Sequence, residues 1–197
     1  MNALVAAHQS VAARLDAVST ALIPTLARLT FAGVLLIYFW NAARTKLGDG
    51  VLGFLRPSDG AYIQIFPRAV EAAGYDVSQL GVGHWAIAVA GTWAEFLLPL
   101  LIVLGLLTRL AALGMIGFVA VQTWVDITGH GLGGADIGGW FDRAADAIVA
   151  DQRALWVFLL LTLVLKGAGP LSADRLLARL TAGSRREDGQ RSRSAAA

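Results

Sequence analysis

The sequence predicts an all-α integral membrane protein built as a four-transmembrane-helix bundle. Three observations lead there: long apolar runs, sparse charge, and basic residues collected where the runs end. Of 197 residues, 56% are hydrophobic and 15% charged, with a mean hydropathy of +0.62. A soluble domain carries about 25% charged residues, so this chain cannot face water on all sides. The apolar residues are also clustered into runs, as a bilayer solvent demands.

A span needs about 20 mostly apolar residues to cross a hydrocarbon core of about 30 Å. The first run extends from Leu22 to Trp40, with Arg28 near its start. The second, His84 to Leu107, contains a single charge, Glu95. A short turn around Arg109 leads into the third, Leu110 to Val125. The fourth, Ala154 to Leu165, is short and must borrow either Ile148–Val149 upstream or Gly167–Ala168 downstream. Modest shortfalls of this kind are accommodated by tilt or local thinning.

Flanking segments follow from pattern. Leu4, Val11, Leu15, Val18 and Leu22 recur at helical spacing, predicting an amphipathic surface helix over residues 1–21. The apolar run after it begins too late and is too long for a cleaved signal peptide, so it is read as retained. The membrane domain covers 22–182, and 183–197 is a disordered basic tail rich in Ser, Arg, Gly and Ala. Two longer loops, Gly48–Gly83 and Thr128–Arg153, carry helical stretches around Ile63–Ala73 and Trp140–Val149, outside the membrane. Trp85, Trp124, Trp140 and Trp156 fall near that interface, where indoles are favoured.

Lys and Arg set the orientation. Arg14, Arg109, Lys166, Arg175, Arg179 and the tail arginines lie on one side, which places both termini in the cytoplasm. The same distribution explains a pI near 9.4 without nucleic acid as a partner. The chain has no cysteine, which excludes disulfides, thiolate metal sites and thiol relays within it.

Glu95 is the sharpest chemical signal. It falls near the bilayer midplane, where an ionised carboxylate costs on the order of 2.5–3.5 kcal/mol unless paired, protonated or wetted. His84, Ala88, Gly91, Glu95, Leu98 and Ile102 share one stripe, and its small residues direct that stripe inward. Matched by depth, Gln122 on the third helix reaches the level of Glu95, and Arg28 starts roughly 9 Å nearer the cytoplasm. Pro99 frees a carbonyl one turn away. Such a carboxylate either handles protons or anchors a ligand, or it joins Arg28 or Gln122 in a pair that only fixes helix packing.

A second grouping lies toward the outer mouth. If the third helix extends far enough, His84, Asp126 and His130 converge as candidate metal ligands, and the two imidazoles as haem ligands. Their spacing matches no local metal motif, so histidines solvating helix ends are favoured over haem or metal. The glycines of Gly129–Gly139 lack any phosphate-binding spacing.

Several segments resemble the DoxX family of bacterial integral membrane proteins. They are Ala27–Arg28–Leu29 with Gly33 and Thr45–Lys46–Leu47, Ala94–Glu95 with Pro99 and the Gly105–Leu106–Leu107–Thr108–Arg109 turn, and Lys166–Asp174. The resemblance spans about Leu22 to Arg179. It departs where Ala173 replaces a common Leu and where both outer loops are longer and richer in glycine. It implies a multi-pass protein of the bacterial cytoplasmic (inner) membrane, with Arg28, Lys46, Glu95, Arg109, Ser172 and Asp174 at the family's recurrent polar positions. It further implies a redox or quinone-linked subunit, with quinone as the ligand to test and membrane or peripheral redox proteins as partners. Arg109 is then expected to order the cytoplasmic turn, and Ser172 and Asp174 to cap a short helix after the fourth span. The other classes carried forward are a permease for a small solute or metal ion and a non-catalytic membrane scaffold.

Overall fold

The computed structural model describes residues 2–181. The expected disordered tail, 183–197, lies outside these described residues.

Among the described residues, four helices are long and apolar enough to cross a membrane: Ala3–Thr45, Val82–Leu104, Thr108–Thr128 and Ile148–Lys166. The first joins α1 (Asn2–Phe31), a π-helical stretch (Ala32–Leu36) and α2 (Ile37–Thr45) without interruption. The expected surface helix is therefore not set off from the first span. No turn-forming pair separates them, and Pro24 is accommodated inside the helix. Its buried ring faces Gly169, where an added Cβ would lie 2.9 Å from Thr25 Oγ1 and 3.3 Å from Pro24 Cγ.

The first long loop holds α3 (Asp59–Ile65) and α4 (Pro67–Ala72), close to the expected helical stretch. Ser58 starts α3, accepting from the Ala61 N–H at 3.3 Å. Its hydroxyl donates to the Thr45 carbonyl (3.0 Å), and its N–H donates to the Lys46 carbonyl (3.0 Å). These bonds pin the loop back onto the end of α2 and fix the backbone of Lys46.

α5 (Val82–Leu104) closes at Gly105, whose φ of +69° suits a residue without a Cβ. The Gly105 N–H reaches the Ile102 carbonyl and the Leu106 N–H the Leu101 carbonyl. α6 (Thr108–Thr128) follows after a three-residue turn and ends at Gly129, before His130.

The fourth span resolves its shortage upstream. A π-helical stretch (Ile148–Arg153) runs into α7 (Ala154–Lys166), and Gly167 at φ +79° ends it. The helix expected around Trp140–Val149 is a turn up to Ala147 instead. The Asp142 carboxylate there accepts from the N–H groups of Gly139 (3.1 Å) and Ala144 (2.9 Å), a local alternative that competes with helix.

All four spans contribute to the core. Phe31, Leu35 and Phe39 from the first helix meet Ile102, Met115, Leu160 and Leu163, all almost fully buried. Phe39 packs edge-on against Phe118 and Trp156, at centroid separations of 6.0 Å.

Candidate functional site

Lys46 lies one residue past α2, and its side chain turns back along the bundle rather than out to the interface. Its ammonium reaches both Glu95 carboxylate oxygens at 2.9 Å and the Ala42 carbonyl at 3.1 Å. Lys46 and Glu95 are 6% and 5% exposed, so the pair is withdrawn from solvent. All three ammonium protons have acceptors, which is the condition for holding such a pair in low dielectric.

This corrects the depth-matched pairing. Gln122 donates to the Tyr38 hydroxyl at 3.4 Å rather than to Glu95. Arg28 belongs to the far end of the bundle. Matching straight upright helices residue by residue ignores helix tilt and the reach of a lysine folded back from a loop.

Glu95 and Lys46 face a cavity of about 540 Å³. α5 and α6 form two walls, Tyr38 and Ala42 of α2 a third, and Gln64 and Ile65 of α3 lie over the loop end. Ile87, Leu98, Phe118 and Val121 make the lining largely apolar, with polar groups confined to a few points. Gln122 also lines it, and its Oε1 is buried without a partner.

The residues proposed from sequence as a metal or haem site are engaged separately. His84 packs edge-on to Phe66 at 4.8 Å. His130 Nε2 donates to the Gln64 carbonyl at 3.0 Å. Asp126 forms an ion pair with Arg153, which also donates to Thr123 Oγ1 at 2.9 Å. Among the described residues, no group of three or more His, Asp or Glu side chains is placed to hold a metal ion. Arg153, 5% exposed, was not singled out from sequence. Its signal was its position at the lip of an apolar run, the place where a charge must choose between water and a partner.

At the other end, Arg28 is 9% exposed and, among the described residues, meets no carboxylate within salt-bridge range. Nε donates to the Ile102 carbonyl and Nη1 to that of Ala168, both at 3.0 Å. Nη1 also reaches Leu171 and Nη2 reaches Val103, again at carbonyls. The last carbonyls of α5 lack the usual fourth-residue helical donor and carry its negative dipole end, so a guanidinium suits them, and that of Ile102 is shared with the Gly105 N–H.

Across the turn, the Asp174 carboxylate accepts from the N–H groups of Leu107 (2.7 Å) and Thr108 (3.0 Å) and from the Thr108 hydroxyl (2.9 Å). It thereby caps α6, with negative charge at a positive helix end. Burial pushes its pKa up. The bonds from Thr108 and Leu107 and the Arg28 charge outweigh that, and hold it below the ordinary carboxylate value. The expected local cap is thus divided: Ser172 accepts from the Arg175 N–H at 3.2 Å, while Asp174 serves α6. Gly105 is required between them, because an added Cβ would lie 2.6 Å from Ser172 Cβ and 2.7 Å from Arg28 Cζ. Arg109 is exposed and lies beside Gly167.

The family model described as DoxX matches residues 23–129, a stretch holding Arg28, Lys46, Glu95 and most of the cavity lining. No curated protein and no solved structure matches the chain.

Proposed function

This chain belongs to the DoxX family, and from that premise we propose that it is a membrane subunit of a redox or quinone-linked process, working with partner proteins. Its place is the bacterial cytoplasmic membrane, with both termini cytoplasmic, as the basic residues around Arg109 and after α7 favour.

The observation that supports this reading is the cavity at the Lys46–Glu95 pair. Apolar walls with a few converging polar groups are the usual make-up of a site for a small lipophilic molecule. The residues present fit a quinone: flat apolar sides at Ile87, Leu98 and Phe118, and hydrogen-bonding groups at one end. A quinone supplies two-electron, two-proton carrier chemistry when bound. Lys46 would turn one ammonium proton from Glu95 to a carbonyl of such a head group, Glu95 would hold a proton beside it, and the free Oε1 of Gln122 would accept from a hydroxyl of the reduced form. Arg28, a candidate partner of Glu95 from the sequence, is reassigned to holding helix ends together. A chain without cysteine has no thiol to relay electrons, which is why protein partners are part of the proposal.

The test is quinone content and quinone reduction of purified protein in nanodiscs, for wild type beside Glu95→Gln and Gln122→Leu. Bound quinone that falls in both variants is the expected result. Wild type without quinone, and indistinguishable from both variants, removes the proposal.

A further inference from the structure

The cavity lining reaches two different regions of the protein surface. At the loop end it is edged by Gln64, Asp126 and the exposed His130. Along its side, α5 and α6 are lined by Ala90, Gly91, Ala94, Gly114 and Gly117, which leave the gap between the helices shallow. Ala90, Gly114 and Gly117 are exposed on the bundle's outer surface, flanked by Ile87 and Val121 at 56% and 61% exposure. Gly117 lies near the middle of α6, so this side opening falls at the depth of the lipid tails. A Cβ added at Gly117 would meet nothing within 4 Å, which marks open space rather than a tight helix contact. The buried Lys46–Glu95 pair lines the same cavity.

We infer that the cavity is loaded sideways from the bilayer, through a portal between α5 and α6 at Gly117, and takes an uncharged, membrane-dissolved amphipathic molecule. The charges support the second half of this statement. Lys46 is matched by Glu95 and Arg153 by Asp126, so neither pair leaves an excess charge for an ion. A charged ligand crossing lipid to reach the portal would also meet the full cost of desolvation. The inference rests on the proposed function for the ligand's chemistry, but not for its route.

The absence of cysteine makes the route measurable, because Ala94→Cys introduces a single thiol into the cavity wall. The full chain in proteoliposomes is treated with a bilayer-dissolved N-alkylmaleimide or with a charged, membrane-impermeant methanethiosulfonate. Each rate is normalised to a surface control, His130→Cys. The expected result is faster labelling by the lipid-borne reagent, by roughly an order of magnitude, and a similar slowing when Gly117→Leu is added. Leucine there enters free space, and a melting curve on the same sample confirms that the variant is folded. Faster labelling by the charged reagent, indifference to Gly117→Leu, or no labelling by either reagent until the protein is denatured would each overturn the portal. Quinone binding is assayed in parallel. Its loss with intact lipid-borne labelling removes the quinone and leaves the route standing.

Discussion

Arg28 and Lys46, both on or next to the first helix, stand toward opposite ends of the bundle and nearly out of solvent, yet their charges are neutralised by different means. Arg28 is held by backbone carbonyls of α5 and of the segment after α7, a solution that depends on planar, divergent donors and on helix ends brought to it. Lys46 is held by one carboxylate and one carbonyl, and a cavity adjoins the pair. Where acceptors are all backbone, the charge ties segments together and no space remains. Where the acceptor is a side chain, the pair can be perturbed by whatever enters beside it. This contrast assigns structure to the first region and ligand chemistry to the second.

The largest expected effect tests the structural side. Arg28→Ala removes the donor from the carbonyls of Val103, Ala168 and Leu171 and one of two from Ile102, at about 1–3 kcal/mol for each left buried and unpaired, a large share of a domain stability of about 5–15 kcal/mol. Loss of folded protein on size-exclusion chromatography checks it, and Arg28→Lys is expected to rescue little because one ammonium cannot span the same acceptors.

Glu95→Gln comes next. It strands the Lys46 ammonium and is expected to cost about 3–5 kcal/mol. Adding Lys46→Met should return most of that stability in chemical denaturation while quinone binding stays lost. If the double variant both folds and binds as wild type does, the division between the two regions is wrong.

The Asp174 cap gives a smaller, pH-dependent effect. Its folded pKa lies below the ordinary value, so its contribution is present above that value and disappears as pH falls through the lowered one. Melting temperatures of wild type and Asp174→Asn should therefore converge in acid and separate toward neutrality, by an amount typical of a helix cap, about 0.5–2 kcal/mol. The smallest effect is expected at Gly117→Ala. Its methyl group meets open space, so stability should stay within about 0.5 kcal/mol of wild type, or rise slightly from helix propensity.

The spans were legible because hydropathy over a run is additive and local. Val82–Leu104 and Thr108–Thr128 match the runs read from sequence to within a few residues. Ala154–Lys166 was legible as a short run, and the upstream extension at Ile148–Val149 was one of two alternatives, but the choice between them was not legible. A π-helical start with a buried arginine depends on Asp126 and Thr123, which are far away in sequence. In the site, Glu95 stood out by itself, since any carboxylate at that depth must be accounted for. Its partner did not stand out, and Lys46 was noted only as a recurrent family position.

What this sequence determined alone is therefore which segments enter the bilayer and which single carboxylate is out of place there. Both are one-body properties, set by the cost of moving each residue from water to lipid. The tertiary structure decided who neutralises whom: Lys46 for Glu95, Arg153 for Asp126, carbonyls for Arg28 and Asp174 for the start of α6. Those are pair properties that depend on helix tilt, loop return and side-chain reach, none of which a linear pattern records. The cavity between α5 and α6 follows from the same source, because small residues become an opening only when two helices place them face to face.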